Sequence, residues 1–263
     1  MKMTKKVLLT AAVMAAAAFG FMGCGEDPDD EYGMITKTDS NNYSVSFTND
    51  TGRTQRAYYP TTLKHKGAQV EFKFTDVDVT SEAGVLGLIW ELETKDKNTN
   101  ARNFWVLGIR QKNGVPCYYI SKFTNVTDIN AENFGTKLKD NPAVETELVV
   151  AFANIDGKSW KNNADNTVTV YADVKAVNGG YDVQFYKTKA DLEAGANGVL
   201  ATPKFCRSDL VGVDTEPAQK DLAVYTNVLG ADNNNNKKLY TLKGSWQFIG
   251  TYSQAEVAEP DAE

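Results

Sequence analysis

Histidine is nearly absent from this chain: His65 is the single one in 263 residues. Ser-His-Asp and Cys-His chemistry and multi-histidine zinc sites all need an imidazole in the right company. His65 sits between Lys64 and Lys66 in a polar stretch, the setting of a solvated side chain, so carboxylate chemistry or no chemistry remains. Cysteine is scarce too. Cys24, Cys117 and Cys206 are the three, and no two of them form a Cys-x-x-Cys pair that would suggest a metal. Basic clusters are missing: the formal charge is -6, and Lys64-His65-Lys66 is only a short patch. Such an acidic chain has no general attraction for nucleic acid or anionic lipid, so no nucleic-acid partner is expected. Long apolar runs are missing as well, since Val7 to Phe21 falls short of the roughly 20 residues that span a bilayer.

That short run has a purpose of its own. Lys2, Lys5 and Lys6 precede it, Phe21-Met22-Gly23-Cys24 ends it, and the acidic stretch Gly25 to Glu31 follows at once. This is the layout of a secretory signal. Over its first 24 residues the chain resembles a bacterial lipoprotein leader with its lipobox. The resemblance implies cleavage before Cys24 and acylation of its sulfur and new amino terminus. It implies an exported protein anchored to the cell envelope through Cys24, at the outer membrane or cell surface rather than the inner membrane. Gly23 fits the box; Phe21 stands where leucine is preferred and Met22 where a small residue is, a relaxation shared with spirochaete lipoproteins. The alternative is a plain signal peptide cut elsewhere, with Cys24 an ordinary thiol.

On the lipoprotein reading, residues 1–23 are a signal peptide. Residues 24–40 are an acidic, then Ser/Thr/Asn-rich, flexible tether. Residues 41–253 form the folded domain, and 254–263 are an acidic, frayed tail. Loss of the three leader lysines takes the formal charge from -6 to -9. Cys117 and Cys206 are then an even pair in a chain that leaves the cytoplasm. They form either a disulfide closing a long loop or two separate buried thiols.

Past the tether the dominant signal is alternation with period two, bounded by turn residues. Val70, Phe72 and Phe74 share one strand face opposite Gln69, Glu71 and Lys73. Leu86, Leu88, Trp90 and Leu92 share a face of the next strand. Asn103 to Arg110 is almost continuously apolar and predicts a central strand buried on both sides. Asn113-Gly114 turns it into a hairpin with Val115 to Phe123. Leu148 to Ile155 is a further strand. Val168 to Ala176 alternates strictly, and Asn178-Gly179-Gly180 turns it into Tyr181 to Lys187. A short helix is expected near Asn130 to Phe134, and another over Thr188 to Ala194 with Thr188 as its cap. Leu222 to Leu229 and Leu239 to Tyr252 complete the set. Ten to twelve strands with scarcely any helix predict an all-β fold, one antiparallel β-sandwich. Two immunoglobulin-sized domains are the alternative, but no Pro/Gly/Ser-rich linker divides the middle.

The segments Leu86 to Trp90, Phe104 to Ile109, Tyr118 to Ser121 and Gly244 to Phe248 resemble concanavalin A-like or laminin G-like domains. The resemblance implies a jelly roll and, as in many members, sugar binding; laminin G-like domains also often hold Ca2+. Asp76 and Asp78, or Asp232 with its asparagines, offer oxygen ligands for such an ion, although solvated turns are the plainer account of both and no metal is expected.

Two constellations could carry a function. Glu91 and Glu93, at i and i+2 of a strand, would share a face, and paired carboxylates are the equipment of glycoside hydrolysis. A polar strand end running into a loop is the plainer account. On the solvent-facing parity of the 168–187 hairpin lie Tyr171, Asp173, Gln184 and Tyr186. A sugar ring stacks its C–H face on an aromatic plane while amides and carboxylates take its hydroxyls. The plainer account there is an ordinary outer sheet face. Trp160 lies in a polar loop as a further contact candidate; Trp90 and Trp246 fall on apolar faces and belong to the core. The leading expectation is a non-catalytic, membrane-anchored envelope protein whose sandwich binds a glycan or an envelope or host protein. A structural envelope component and a carbohydrate-active enzyme are the alternatives.

Overall fold

Alternating residues place one apolar and one polar side on a strand, and two such sheets bury their apolar sides against each other. The computed structural model describes residues 34–52, 54–75, 84–92, 102–112, 115–126, 147–151, 167–200, 204–206, 220–231 and 236–252. Seven of its strands form one antiparallel sheet: β1 (Ile35–Lys37), β2 (Asn42–Asn49), β4 (Gly67–Phe74), β9 (Val168–Val177), β10 (Gly180–Tyr186), β11 (Lys204–Cys206) and β13 (Tyr240–Thr251). Six form the other: β3 (Gln55–His65), β5 (Gly84–Leu92), β6 (Arg102–Lys112), β7 (Val115–Val126), β8 (Glu147–Ala151) and β12 (Lys220–Val228).

Early strands pair with late ones, in one sheet and then the other. β2 and β4 flank β13, while β3 and β5 flank β12. This nested wiring is a jelly roll, so the sequence expectation of a single antiparallel sandwich holds. The thirteen strands are one more than the upper expected count, and β1, β2, β3 and β11 are the ones that the sequence reading did not mark. β1 lies inside the stretch read as tether. Met34 and Ile35 are buried there and Ile35 pairs opposite Val45. Two adjacent apolar residues are too few to show a period.

The core lies between the sheets. Trp246 is fully buried, and its Nε1 donates to the Gly87 carbonyl of the opposite sheet at 2.9 Å. Trp90 is buried there as well, as its strand face predicts. Gly244 permits this approach, because a Cβ there would lie 2.5 Å from Leu86 Cδ1 and 2.7 Å from the Lys73 carbonyl oxygen. β6 runs between β5 and β7 with every residue from Phe104 to Ile109 buried, as its continuous apolar run predicts. A second apolar cluster, including Ile89, Phe104, Val106, Tyr119 and Tyr225, occupies the other face of the six-stranded sheet. Phe104 and Phe123 stack within it at 5.1 Å.

β5 departs from simple alternation at Glu91. Ile89 is opposite Ala223 and Leu92 opposite Asp221, so Trp90 and Glu91 together face Leu222 alone. Such a bulge resets the parity of everything beyond it. Leu92, expected beside Leu86, Leu88 and Trp90, therefore joins the second cluster instead. Glu91 takes a left-handed φ of 54°, one of two non-glycine residues with positive φ among those described.

The expected helix over Thr188 to Ala194 is α1 (Lys189–Ala194). Thr188 Oγ1 accepts from the Asp191 amide at 3.1 Å, and Gly195 ends the helix at φ 59°. The helix expected near Asn130 lies outside the described residues.

Candidate functional site

Alternation in β4, β9 and β13 sends Val, Phe and Trp inward and leaves a mostly polar outer face on the seven-stranded sheet, with Val177 and Ile249 its apolar members. The register sets its rows. Gln69 is opposite Asp173, which is opposite Gln184; Glu71 is opposite Tyr171, which is opposite Tyr186. On the other side of β4, Gln247 is opposite Glu71 and Ser245 opposite Lys73. The four residues expected on the β9–β10 hairpin thus share one face.

The four do not share one environment. Gln184 Oε1 accepts from the Leu200 amide at 2.7 Å, and its Nε2 donates to the Leu200 carbonyl at 3.1 Å. The amide pins the 195–200 segment to β10, and Gly198 lies so close that a Cβ there would be 2.4 Å from the Gln184 side chain. Tyr186 is buried, and burial together with the charge of Asp173 pushes its phenol pKa up. Tyr171 and Asp173 remain half-exposed. The Tyr171 phenol is pushed up to about 12 by burial, then by the charge and hydrogen bond of Glu71. It is a neutral hydrogen-bonding group at any physiological pH.

The exposed part of the face extends away from β10, onto β4 and the end of β13. The Tyr252 hydroxyl donates to Asp173 Oδ1 at 2.9 Å, and Gln69 Nε2 donates to the same hydroxyl at 3.0 Å. Lys175 Nζ lies 5.1 Å from the centre of the Tyr252 ring, a cation–π distance. The Tyr252 backbone is fixed by bonds from Lys66 N at 2.7 Å and to the Gly67 carbonyl at 3.0 Å. The result is two half-exposed tyrosines, Tyr171 and Tyr252, each bound to a carboxylate, with Gln69 between them. Sequence reading placed Gln69 and Glu71 on a polar strand face. It had no means of joining them to Asp173, which is 104 residues away from Gln69 in the chain. Tyr252 carried no signal beyond closing the final strand.

Glu91 lies elsewhere. It is buried between the sheets, where its Oε1 accepts from the Tyr181 hydroxyl at 2.5 Å. Trp90 stacks on Trp105 at 5.8 Å and meets Tyr181 edge-on at 6.3 Å. This carboxylate therefore points into the aromatic core. Its expected companion Glu93 is outside the described residues, as are Cys24, Trp160, Asp76, Asp78 and Asp232. Among the described residues no group of three or more His, Cys, Asp or Glu could hold a metal ion. Cys206 is an exposed free thiol on β11; Cys117 lies on β7, in the other sheet, with its side chain outside what is described. No described helix is long and apolar enough to cross a membrane.

Fold and face together define a class: an all-β jelly roll with one polar sheet face presented to solvent. No protein-family profile matches the chain, and no curated protein matches it. Among solved structures it is similar to the VIP36 exoplasmic/lumenal domain in its Ca2+/Man3GlcNAc-bound form, at 10% identity. That match covers 87% of this chain and 84% of the other, with a TM-score of 0.39. It is also similar to the kappa-carrageenase from Pseudoalteromonas carrageenovora in complex with an oligotetrasaccharide of kappa-carrageenan. There the identity is 6%, over 82% of this chain and 83% of that one, with a TM-score of 0.35.

Proposed function

We propose that this protein is an exported, non-catalytic glycan-binding lipoprotein, anchored to the cell envelope through acylated Cys24. It binds sugar with the outer face of its seven-stranded sheet. The observation that carries the proposal is the Tyr171–Glu71–Gln69–Asp173–Tyr252 group on that face. Two half-exposed rings provide stacking surfaces for sugar C–H faces. The carboxylates and the amide, already positioned by hydrogen bonds, accept and donate to ring hydroxyls. The non-catalytic reading is supported by Glu91, which faces the core and binds Tyr181 rather than solvent. The leader supports the anchor.

A glycan array probed with the mature chain tests the binding. Tyr171→Ala and Tyr252→Ala are each expected to weaken the strongest hit at least tenfold while leaving the unfolding midpoint nearly unchanged. No hit across broad sugar classes would remove the proposal. For the anchor, labelled palmitate is expected to enter the wild-type protein and not Cys24→Ser; an unlabelled, soluble wild-type product would refute it.

A further inference from the structure

The 195–200 segment pinned to β10 contains the pair Asn197-Gly198. Asparagine before glycine is the pair most open to deamidation, because glycine has no side chain to shield its own nitrogen. Residues 193–198 are all exposed. Asn197 takes a left-handed φ of 56° and lies outside any ladder or helix. Its Nδ2 donates to Asp191 Oδ1 at 2.7 Å, and the Ala196 amide donates to the Asp191 carbonyl at 3.0 Å. Asp191 thus gathers the segment against α1, and bonds from Asn197 and then Thr188 hold its carboxyl below the usual range. Beyond Gly198, the Val199 amide donates to the Phe185 carbonyl at 3.0 Å. A second such pair, Asn178-Gly179, is the two-residue turn between β9 and β10, with Val177 opposite Gly180 on the ladder. Rotation at Asn178 strains paired residues on both sides, whereas Asn197 has a ladder on neither.

We propose that Asn197 is a site of spontaneous deamidation, and that the reaction releases the 195–200 segment from β10. The Gly198 nitrogen loses its proton to hydroxide and attacks Asn197 Cγ. The new N–Cγ bond closes a succinimide ring, the Cγ–Nδ2 bond breaks, and ammonia leaves with a proton from water. Water then opens either carbonyl of the ring, giving aspartate or isoaspartate at position 197. Both products remove the donor to Asp191 and add a negative charge beside it. Isoaspartate also lengthens the backbone by one atom where Gly198 packs on Gln184, a Cβ there being 2.4 Å from that side chain. Gln184 is opposite Asp173, so freeing it adds an amide to the open face. The inference stands whether or not that face binds sugar.

The test ages the mature chain at physiological temperature and follows it by peptide mass mapping, with hydrogen exchange at the Leu200 amide measured alongside. Asn197 is expected to gain about 1 Da, as both aspartate and isoaspartate. Conversion should run about tenfold faster than at Asn178, whose geometry is fixed by the hairpin. It should quicken as pH rises, because the attacking nitrogen must be deprotonated. Leu200 exchange should rise in step with conversion. Asn197→Asp is expected to show the faster exchange before any ageing. Asn197→Gly, which suits the left-handed φ and cannot react, should show no change on ageing. Conversion at Asn197 no faster than at Asn178 would overturn the site. Conversion at Asn197 with Leu200 exchange unaltered would overturn the release.

Discussion

The outer faces of the two sheets meet different fates from the same pleat. In the seven-stranded sheet the outward positions of β4, β9 and β13 are polar apart from Val177 and Ile249, and the outer face remains in contact with solvent. In the six-stranded sheet β5 is buried at every position and β6 from Phe104 to Ile109, and the outer face is a second apolar layer. A sheet face is shaped either to be covered or to be open, and its residue alternation shows which. The open sheet face of this molecule is therefore where a ligand the size of a polymer has room, and the covered one is where stability is concentrated.

The comparison can be broken most directly by truncation on each side. Phe104→Ala, within the covered layer, is expected to destabilise by about 3–5 kcal/mol. Tyr171→Ala, on the open face, is expected to change stability by about 1 kcal/mol or less. Denaturant titration of both variants checks this, and equal losses would erase the distinction. A smaller effect is expected from Tyr181→Phe, which takes from buried Glu91 a hydrogen-bond donor, at about 1–3 kcal/mol. Because Glu91 lies in the core, that variant should bind glycan like wild type; loss of binding would bring Glu91 back into the functional site. Gly198→Ala crowds Gln184 and is expected to loosen the segment that covers β10, at about 1–2 kcal/mol. Faster hydrogen exchange at the Leu200 amide reports it.

The smallest effect is a pH dependence. The Tyr171 phenol is raised from 10.0 to about 12 in the folded chain, so the folded state favours its neutral form. Its contribution to stability is complete below pH 10 and is lost as pH rises from 10 to about 12. Tyrosinate absorbance should lose one of its late-titrating phenols in Tyr171→Phe, Tyr43 and Tyr186 also being raised.

Period-two alternation made most of this legible beforehand, because each strand reports its own buried side. Val168 to Ala176, the helix capped by Thr188, and the core placements of Trp90 and Trp246 all followed from local pattern. The bulge at Glu91 did not follow. A one-residue insertion resets parity without any change in composition, so Leu92 was assigned to the wrong layer. β1 was hidden for the opposite reason: three residues are too few to show a period. Half of the candidate site was visible as the outward side of one hairpin. The rest required knowing that β4 pairs with β9 and that β13 ends beside both, and pairings between strands a hundred residues apart leave no trace in a single sequence. Nor could hairpin parity show that Gln184 would turn to Leu200, since that depends on a loop crossing β10.

The first and last described strands fix the two ends of the face that carries the tyrosines. Ile35 pairs opposite Val45, so the chain enters the sheet at the end that carries Ser46 and Lys243; Tyr252 closes it at the other end, beside Asp173. Along β9 the row of Asp173 is six residues from that of Thr167, about 20 Å at a strand's rise.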